Sequence, residues 1–444
     1  MNNKLDCLPL GPQREEFERL LGQVQSKKQN VLDWESIRSP SDGAQVEYQK
    51  LGDPGGYHEN FSRLVIGRLN GGLGTSMGCD GPKSLIKVKG ERTFLDLIIE
   101  QVRELNARWD ANIPLLLMNS FYTEKEIRKF VDNIDLPLIT FTQNKFPRLS
   151  AGSLLPLNPD ELGDHAWYPP GHGDFYNCIF EQGILRSLIE KGKDILFISN
   201  ADNLGAVADA KILNYMIEKD IPFLIEVTPK TAADVKGGTL YEENGKLKLL
   251  EIAQVPEEHI DEFCSQKKFS VFNTNNIWIN LSVLEKKLEE GPLDLNVIVN
   301  EKKIQGKPVL QLETAIGSAL DCFEGAVGLC VSRDRFMPVK KTEDLLLVQS
   351  NLFSLEGGTL VRNLERKVSH LPEIRFGSPL DQVERFQECF SVIPDLLELE
   401  LLEMAGEVYF DGAASLKGNV KLKGVNKALH IENGRNVENE TIEC

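Results

Sequence analysis

The chain alternates short apolar runs with amphipathic segments from residue 64 to residue 227. Apolar residues at helical spacing predict helices at 94–105, near 181–191 and near 208–219. The apolar runs that predict buried strands are 64–66, 113–118, 138–142, 195–199 and 223–227. This alternation predicts an α/β fold with a mixed, mostly parallel sheet covered on both faces. Ligands of such sheets bind beyond the carboxyl ends of the strands.

Two threonines are predicted to begin helices. Thr93 stands directly before the helix at 94–105 and suits an N-cap, because its hydroxyl can accept a hydrogen bond from a free backbone N–H. Thr123 and Glu126 have the spacing of a capping box, which predicts the start of a further helix after the strand at 113–118.

Residues 1 to about 60 are polar and are predicted to be helical. Phe17, Leu20 and Leu21 share one face at helical spacing. The sequence Gly-Asp-Pro-Gly-Gly at 52–56 then breaks the chain. We therefore divide the chain into an N-terminal helical segment (1–62), a Rossmann-like α/β domain (63–345) and a C-terminal domain (346–444).

The C-terminal fifty residues contain a six-residue repeat. Its glycines are Gly406, Gly412, Gly418 and Gly424. A small or branched apolar residue stands two places after three of them, as Val408, Ala414 and Val420. This phase predicts a left-handed β-helix built from hexapeptides, and chance glycine spacing is the alternative.

Composition narrows the class of protein. Hydrophobic residues make up 41% of the 444 residues and charged residues 26%, which suits a large globular core. The net charge of −17 argues against non-specific nucleic-acid binding. We expect no membrane span and no export signal, because neither pattern occurs in the sequence. The eight cysteines form no C-x-x-C pair, so we expect reduced thiols and a cytoplasmic location.

A glycine-rich segment carries the most specific chemistry. Residues 69–78 read L-N-G-G-L-G-T-S-M-G, and Gly81-Pro82-Lys83-Ser84 follow. Glycines let backbone N–H groups approach phosphate closely, and a nearby lysine adds positive charge. The segment is not a P-loop, because Pro82 separates Gly81 from Lys83, and its glycine spacing does not match the dinucleotide fingerprint. A plain glycine turn is the alternative.

This motif and eight others resemble the eukaryotic-type UTP–glucose-1-phosphate uridylyltransferases. The resemblance extends over almost the whole chain from about residue 64. The further segments are PLLLMNSF at 114–121, YPPGHGD at 168–174, SNADNLG at 199–205, DVKGGTL at 234–240, EIAQVP at 251–256, FNTNNIW at 272–278, QLETA at 311–315 and RFMPVK at 335–340. It implies a nucleotidyltransferase domain that binds UTP, glucose 1-phosphate, pyrophosphate and UDP-glucose.

The resemblance also implies the roles of individual residues. Those expected to hold the nucleotide are Leu69, Asn70, Gly71, Gly72, Lys83, Gln143, Gly171, Asp202 and Lys340. Those expected to contact the sugar are His172, Asn200, Gly237, Gly238, Glu251, Asn273 and Asn275. Lys83 and Lys340 are the expected catalytic lysines, and Lys341 is excluded by register alone. Asp202 is the expected ligand of Mg²⁺, which takes one or two carboxylates plus substrate oxygens and water.

Simpler roles remain open for several of these residues. Gln143 also suits a polar residue that ends a strand, His172 a structural loop histidine and Asp202 the cap of a turn. The histidines lie too far apart for a metal site. Ala201 stands where the family usually has isoleucine, which leaves the polar residues of that motif untouched.

The implied reaction is in-line attack by glucose 1-phosphate on the α-phosphorus of UTP, without a covalent enzyme intermediate. The product would supply glycogen, polysaccharide and glycoconjugate synthesis. Three alternatives remain: a related enzyme for galactose 1-phosphate or N-acetylglucosamine 1-phosphate, a non-catalytic sugar-nucleotide sensor, and a scaffold built on the hexapeptide repeat. Related enzymes associate through the C-terminal β-helix. Here the end is short and acidic, so we expect a monomer or small homo-oligomer.

Overall fold

The structure is a computed structural model that describes residues 7–26, 33–41, 43–53, 58–231 and 235–444. Short 3-10 turns also occur in these ranges. The α-helices of the described ranges are α1 (Pro12–Gln25), α2 (Phe94–Trp109), α3 (Glu124–Val131), α4 (Pro159–Leu162), α5 (Phe175–Glu181), α6 (Ile184–Glu190), α7 (Ala210–Glu218), α8 (Ile260–Cys264), α9 (Leu281–Glu290), α10 (Thr342–Gln349) and α11 (Val383–Cys389).

The strands are mostly short, and the longest lie near the C-terminus. Those of the described ranges are β1 (Gln45–Glu47), β2 (Leu64–Asn70), β3 (Lys87–Lys89), β4 (Arg92–Thr93), β5 (Leu115–Asn119), β6 (Leu138–Thr142), β7 (Phe146–Pro147), β8 (Leu149–Ser150), β9 (Trp167–Tyr168), β10 (Ile195–Asn200), β11 (Phe223–Pro229), β12 (Thr239–Glu243), β13 (Lys246–Leu250), β14 (Val271–Asn280), β15 (Val297–Ile304), β16 (Lys307–Thr314), β17 (Val327–Cys330), β18 (Phe353–Glu356), β19 (Thr359–Arg362), β20 (Glu373–Phe376), β21 (Leu399–Phe410), β22 (Ser415–Ile431), β23 (Asn436–Glu438) and β24 (Thr441–Glu443).

The chain divides into two compact units, each made of separate stretches. The first unit contains residues 1–71, 106–200 and 208–335. The second contains residues 72–105, 201–207 and 336–444. The residue ranges of these two units therefore differ from the three consecutive segments into which we divided the sequence.

The first unit is built on an eight-stranded sheet with the order β1-β17-β11-β14-β10-β2-β5-β6. Neighbouring strands are parallel, except that β14 is antiparallel to β10 and β11. Every residue of β5 is buried, so both faces of the sheet are covered. The prediction of an α/β fold with a mixed, mostly parallel sheet is confirmed.

Most predicted elements occur, with shifted ends. The strand predicted at 64–66 continues to Asn70, and the strand predicted at 113–118 runs from Leu115 to Asn119. The helix predicted near 181–191 corresponds to α6, and the preceding helix α5 was not predicted. They are separated at Gly183, which has a φ of 70° that no helix interior allows.

One of the two predicted caps is correct. The Thr93 hydroxyl accepts a hydrogen bond from the Asp96 N–H at 3.1 Å. The capping box at Thr123 and Glu126 was wrong, because the Thr123 side chain makes no cap bond. Its hydroxyl accepts from the Ser120 N–H at 3.0 Å and donates to the Asn70 carbonyl at 3.0 Å instead.

The N-terminal segment is less helical than predicted. Phe17 and Leu20 are buried on one face of α1, as their spacing indicates. Residues 45–47, however, form β1, which pairs in parallel with β17 at the edge of the main sheet. Part of the predicted chain break, residues 54–56, lies outside the described residues.

The second unit contains the C-terminal strands. Strands β20 to β24 pair in parallel, with Met404 opposite Leu422 and Leu422 opposite Ile442. The in-phase apolar residues of the repeat, Val408, Ala414 and Val420, are all buried. A Cβ on Gly406 would lie 2.2 Å from the Gly424 carbonyl oxygen, so these two glycines allow close stacking of β21 on β22. No described helix has the length and apolar character that a bilayer crossing requires.

Candidate active site

The residues predicted at the strand ends share one edge of the main sheet in the first unit. Strand pairing places Leu69 beside Asn200 and Asn70 beside Asn119. The Asn70 Nδ2 donates to the Asn119 Oδ1 at 2.8 Å, and both side chains are buried. This is the carboxyl edge of the parallel strands, where ligands of such sheets bind.

Gln143 lies directly after β6 at the same edge. Its backbone N–H donates to the Asn119 carbonyl at 2.9 Å. Its side chain packs against Gly71, where an added Cβ would lie 2.3 Å from the Gln143 Nε2. The side chain is 8% exposed, and its Oε1 has no hydrogen-bond partner among the described residues. A buried amide oxygen without a partner is costly, so it is available to a ligand.

The loop with Gly171 and His172 packs against the end of β16. Gly171 has a φ of 86°, and a Cβ there would lie 2.6 Å from the Thr314 carbonyl oxygen. The Ile316 N–H donates to the His172 Nδ1 at 2.8 Å, so the ring proton stands on Nε2. Burial lowers the pKa of His172 to about 4. His172 is therefore a neutral hydrogen-bond donor at physiological pH.

Two glycines and a carboxylate meet at the entrance to the β12–β13 hairpin. A Cβ on Gly237 would lie 1.7 Å from the Phe272 ring, and one on Gly238 would lie 2.5 Å from the Glu251 Oε1. Burial raises the pKa of Glu251 to about 6, so the carboxylate is charged at neutral pH. Carboxylates of this kind accept hydrogen bonds from sugar hydroxyls.

Asn273 and Asn275 lie in a β-bulge of β14. The pairing partners jump from Asn276 opposite Glu226 to Asn273 opposite Val227, so two residues are looped out. Asn275 has a φ of 62°, a conformation that asparagine tolerates well. Its N–H donates to the Asn273 Oδ1 at 2.9 Å.

Direct contacts connect these groups within the first unit. The Asn144 N–H donates to the Asp174 Oδ2 at 2.7 Å, which joins the segment after β6 to the His172 loop. A Cβ on Gly317, next to Ile316, would lie 3.4 Å from the Asn273 Nδ2. The Asn273 N–H donates to the Gly238 carbonyl at 2.8 Å. The structure thus brings the predicted residues of the first unit together.

The second unit contains the remaining predicted residues. The glycine loop folds back on itself through hydrogen bonds from the Gly74 N–H to the Gly81 carbonyl and from the Lys83 N–H to the Gly72 carbonyl, both at 3.1 Å. Gly78 has a φ of 74°, and a Cβ there would lie 1.7 Å from the Gln382 Oε1. The loop is therefore packed and turned as only glycine allows.

Lys83 and Asp202 form an ion pair in this unit. The Lys83 Nζ lies 2.6 Å from the Asp202 Oδ2, and the side chains are 16% and 19% exposed. Both groups were predicted to face phosphate or metal, and here each neutralises the other. The described residues contain no cluster of three or more histidine, cysteine, aspartate or glutamate side chains for a metal ion. Asp202 alone would leave most coordination positions to substrate and water.

Lys340 follows a segment that is attached next to Asp202. The Val339 N–H donates to the Asp202 carbonyl at 3.2 Å, and the Met337 N–H donates to the Asn203 Oδ1 at 2.8 Å. The side chains of Lys340 and Lys341 are both exposed. Both backbone N–H groups donate to the Asp344 carboxylate, and Lys341 is the N-cap of α10.

Sequence reasoning assigned no role to several residues that support this site. The Ser120 Oγ donates to the Gly71 carbonyl at 2.7 Å, and Thr314 limits the space at Gly171 and Gly173. Both stand in quoted motifs at or just after the end of a strand. Ser120 directly follows the last residue of β5, where ligands of such sheets bind, and this position is the signal that finds it. Thr314 is the last residue of β16.

The mostly parallel sheet and the glycine loop that follows β2 define a nucleotide-binding α/β protein of the nucleotidyltransferase class. The family model described as UTP–glucose-1-phosphate uridylyltransferase matches residues 14–417. The chain belongs to this family.

Individual relatives agree along nearly the full chain. The chain is 44% identical over 436 residues to the UTP–glucose-1-phosphate uridylyltransferase of Solanum tuberosum, which covers 96% of this chain and 91% of the relative. It is 47% identical over 408 residues to that of Encephalitozoon cuniculi, which covers 91% of this chain and 82% of the relative. A solved mutant UDP-glucose pyrophosphorylase of Leishmania major in complex with UDP-glucose is 31% identical with a TM-score of 0.87, and covers 96% of this chain and 95% of that one.

Proposed function

We propose that this protein transfers the uridylyl group of UTP to glucose 1-phosphate. A phosphate oxygen of glucose 1-phosphate forms a bond to the α-phosphorus, the bond from that phosphorus to the bridging β-oxygen breaks, and pyrophosphate leaves. Atoms and charge balance without a covalent enzyme intermediate. The residues supply position and charge neutralisation. The family, and a similar solved structure that contains UDP-glucose, support both substrates.

The choice of uracil rests on Gln143. Its Oε1 is buried beside Gly71 with no hydrogen-bond partner in the described part of the chain, and an amide can both accept from and donate to the edge of a uracil base. Gly71 leaves no room for a side chain there, so the base can approach the backbone of Leu69 to Gly72. Gly171 is the further proposed contact to the nucleotide.

The proposed sugar contacts are His172, Asn200, Gly237, Gly238, Glu251, Asn273 and Asn275. The neutral His172 donates through Nε2, and the charged Glu251 accepts from hydroxyls. The asparagine amides can do both. This mixture of donors and acceptors suits a polyhydroxylated ring, and the two glycines let Phe272 and Glu251 pack closely beside it.

Lys83 and Lys340 are proposed to bind the phosphates, and Asp202 to bind Mg²⁺. A single, partly exposed carboxylate fits an ion that keeps water and substrate oxygens as its other ligands. Mg²⁺ would supply charge neutralisation at the phosphates when bound. Lys83 pairs with the Asp202 carboxylate, so binding of phosphate and metal would separate the pair and take one group each.

One assay tests this function: release of pyrophosphate from UTP with a panel of sugar 1-phosphates, repeated with ATP and GTP. We expect turnover with glucose 1-phosphate and a strong preference for UTP. Equal rates with ATP would contradict the uridylyl assignment and leave nucleotidyl transfer intact. A preference for galactose 1-phosphate or N-acetylglucosamine 1-phosphate would change the sugar. No turnover with any pair would favour a sensor.

Three broader proposals concern the whole protein. The parallel pairing of β21 with β22, in which Met404 lies opposite Leu422 eighteen residues later, supports a left-handed β-helix of hexapeptides. The acidic residues of the last strands support a monomer or small homo-oligomer, which light scattering would measure. The eight free cysteines support function in the reducing cytoplasm, where UDP-glucose is used for polysaccharide synthesis.

A further inference from the structure

A fully buried carboxylate lies beneath the bulge that carries Asn273 and Asn275. Glu226 of β11 is 0% exposed. Its Oε1 accepts from the Trp278 Nε1 at 2.8 Å and the Arg335 Nη2 at 2.6 Å. Its Oε2 accepts from the Arg335 Nε at 2.7 Å and the Asn276 Nδ2 at 3.1 Å. Four donors thus saturate a carboxylate that the proposed reaction does not use.

The same residue also holds the backbone of the bulge. The Thr274 Oγ1 donates to the Glu226 main-chain carbonyl at 2.7 Å and accepts from the Asn276 N–H at 3.2 Å. Thr274 and Asn276 flank Asn275, whose backbone is left-handed. Glu226 therefore holds both neighbours of that residue. The two looped-out residues lie outside the strand ladder, so the shape of the bulge depends on such contacts.

The Arg335 side chain completes this arrangement. Its guanidinium is bidentate on Glu226 and lies 4.0 Å from the Asp209 carboxylate, while its carbonyl accepts from the Asn276 Nδ2 at 3.3 Å. Planar bidentate pairing has strict geometry, so the direction of the carboxylate is determined as well as its charge. Removing one partner of such a pair leaves a buried charge that the surroundings must move to accommodate.

We propose that Glu226 is a positioning residue for the sugar: it sets the bulge so that Asn273 and Asn275 present their amides to the glucose ring. This inference rests on the proposed function. It predicts a defect confined to the sugar substrate, because Glu226 bonds to Thr274, Asn276, Trp278 and Arg335, and none of these is a predicted nucleotide or phosphate residue. A buried pair that served stability alone would instead lower the fraction of active protein and change both Michaelis constants little.

The test compares Michaelis constants for the two substrates in three variants. Glu226→Gln keeps the shape but turns an amide N–H₂ towards donors, and we expect the KM for glucose 1-phosphate to rise about tenfold or more with the KM for UTP unchanged within about twofold. Thr274→Val removes only the hydroxyl and should show the same split more weakly. Thr274→Ser keeps the hydroxyl and should restore the wild-type values.

Lys193→Met is the matched control, because Lys193 is also buried in the first unit and donates to the carbonyls of Ser62 and Asn112 at 2.5 and 2.7 Å. It should leave both constants unchanged. If Glu226→Gln does not fold, Thr274→Val against Thr274→Ser decides. If the wild type is active and the variants change neither Michaelis constant, or change both equally, the positioning role is overturned. A wild type that releases no pyrophosphate would instead contradict the proposed function.

Discussion

The proposed sugar residues and the proposed phosphate residues are held in opposite ways. In the first unit, neutral amides and a histidine are fixed by hydrogen bonds, as with Asn273 on Gly238 and Ile316 on His172. In the second unit, Lys83 and Asp202 are held chiefly by each other, and Lys340 is exposed. The sugar side is preorganised before substrate arrives, whereas the charges of the phosphate side must exchange partners.

This difference follows from the ligands. A sugar ring offers many weak, directional hydrogen bonds, so binding gains from groups that are already in place. The triphosphate of UTP and the phosphate of glucose 1-phosphate offer strong negative charge, and an unpaired lysine in a partly buried site is unfavourable without them. The Asp202 carboxylate neutralises the Lys83 charge in this partly buried position. Variants on each side should therefore fail differently.

The largest effect is expected for Lys83→Ala. It removes the only positive charge of the glycine-rich segment 69–84 and leaves Asp202 without its partner, so kcat should fall about a thousandfold. Steady-state kinetics with purified protein would measure this. Lys87→Ala is the control, because Lys87 is an exposed lysine of the same unit paired with Glu91, and it should change kcat little. A comparable loss in both variants would contradict a specific role for Lys83.

Asp202→Asn should lower kcat about a hundredfold. The change removes charge but little volume, so the fold should persist. If Asp202 binds Mg²⁺, the concentration of Mg²⁺ at half-maximal rate should rise as well. Titration of Mg²⁺ at saturating substrates measures both effects. Near-normal activity in a folded variant would remove Asp202 from the site.

Gly238→Ala should act on the sugar side alone. The new Cβ would meet the Glu251 carboxylate at 2.5 Å, and overpacking of about 2 kcal/mol would raise the KM for glucose 1-phosphate about thirtyfold. The KM for UTP should stay constant. Gly22→Ala is the control, since that glycine lies in α1 with open space around it. An equal rise in both constants would show that the preorganised region is not specific to the sugar.

Lys340→Ala and Lys341→Ala form a matched pair on the phosphate side. Both side chains are exposed, so neither change should disturb the fold. Lys340→Ala would remove the proposed charge-assisted contact to phosphate and should raise the KM for UTP about tenfold, whereas Lys341→Ala should change it hardly at all. Kinetics at varied UTP would separate them. The reverse result would place the motif one residue out of register.

The smallest effect concerns pH. Burial raises the pKa of Glu251 to about 6, so lowering the pH from 7 to 5 neutralises the carboxylate and should raise the KM for glucose 1-phosphate about fivefold. His172, with a pKa of about 4, stays neutral over this range. The substrate phosphate titrates near pH 6 as well. The Glu251→Gln variant keeps the pH dependence that comes from the substrate phosphate. The difference between the pH profiles of the wild type and this variant therefore reports the titration of Glu251.

Local patterns found in the sequence were reliable where the structure is local. The apolar runs located the strands. Gly71 and Gly238 stand in quoted motifs and Gln143 directly follows a predicted strand, and their ligand contacts stay predictions. The prediction of a cap at Thr123 was wrong because the Thr123 hydroxyl bonds to Asn70, which lies in β2 and is distant in the sequence. The Lys83–Asp202 ion pair and the Glu226 contacts join residues far apart in the chain. The spacing of apolar residues along the sequence cannot predict such pairs. The bulge at Asn275 depends on a register that only strand pairing defines.

The discontinuous second unit has a consequence for biosynthesis. The glycine loop packs at Gly78 against Gln382, and Met77 and Phe94 share a core with Phe386 and Leu402. A ribosome therefore makes the loop early and its packing partners late. Contacts between such distant segments form slowly. The first unit should fold on the growing chain before the glycine loop is packed against its partners. Ligand binding by the nascent chain should therefore appear only near the end of synthesis.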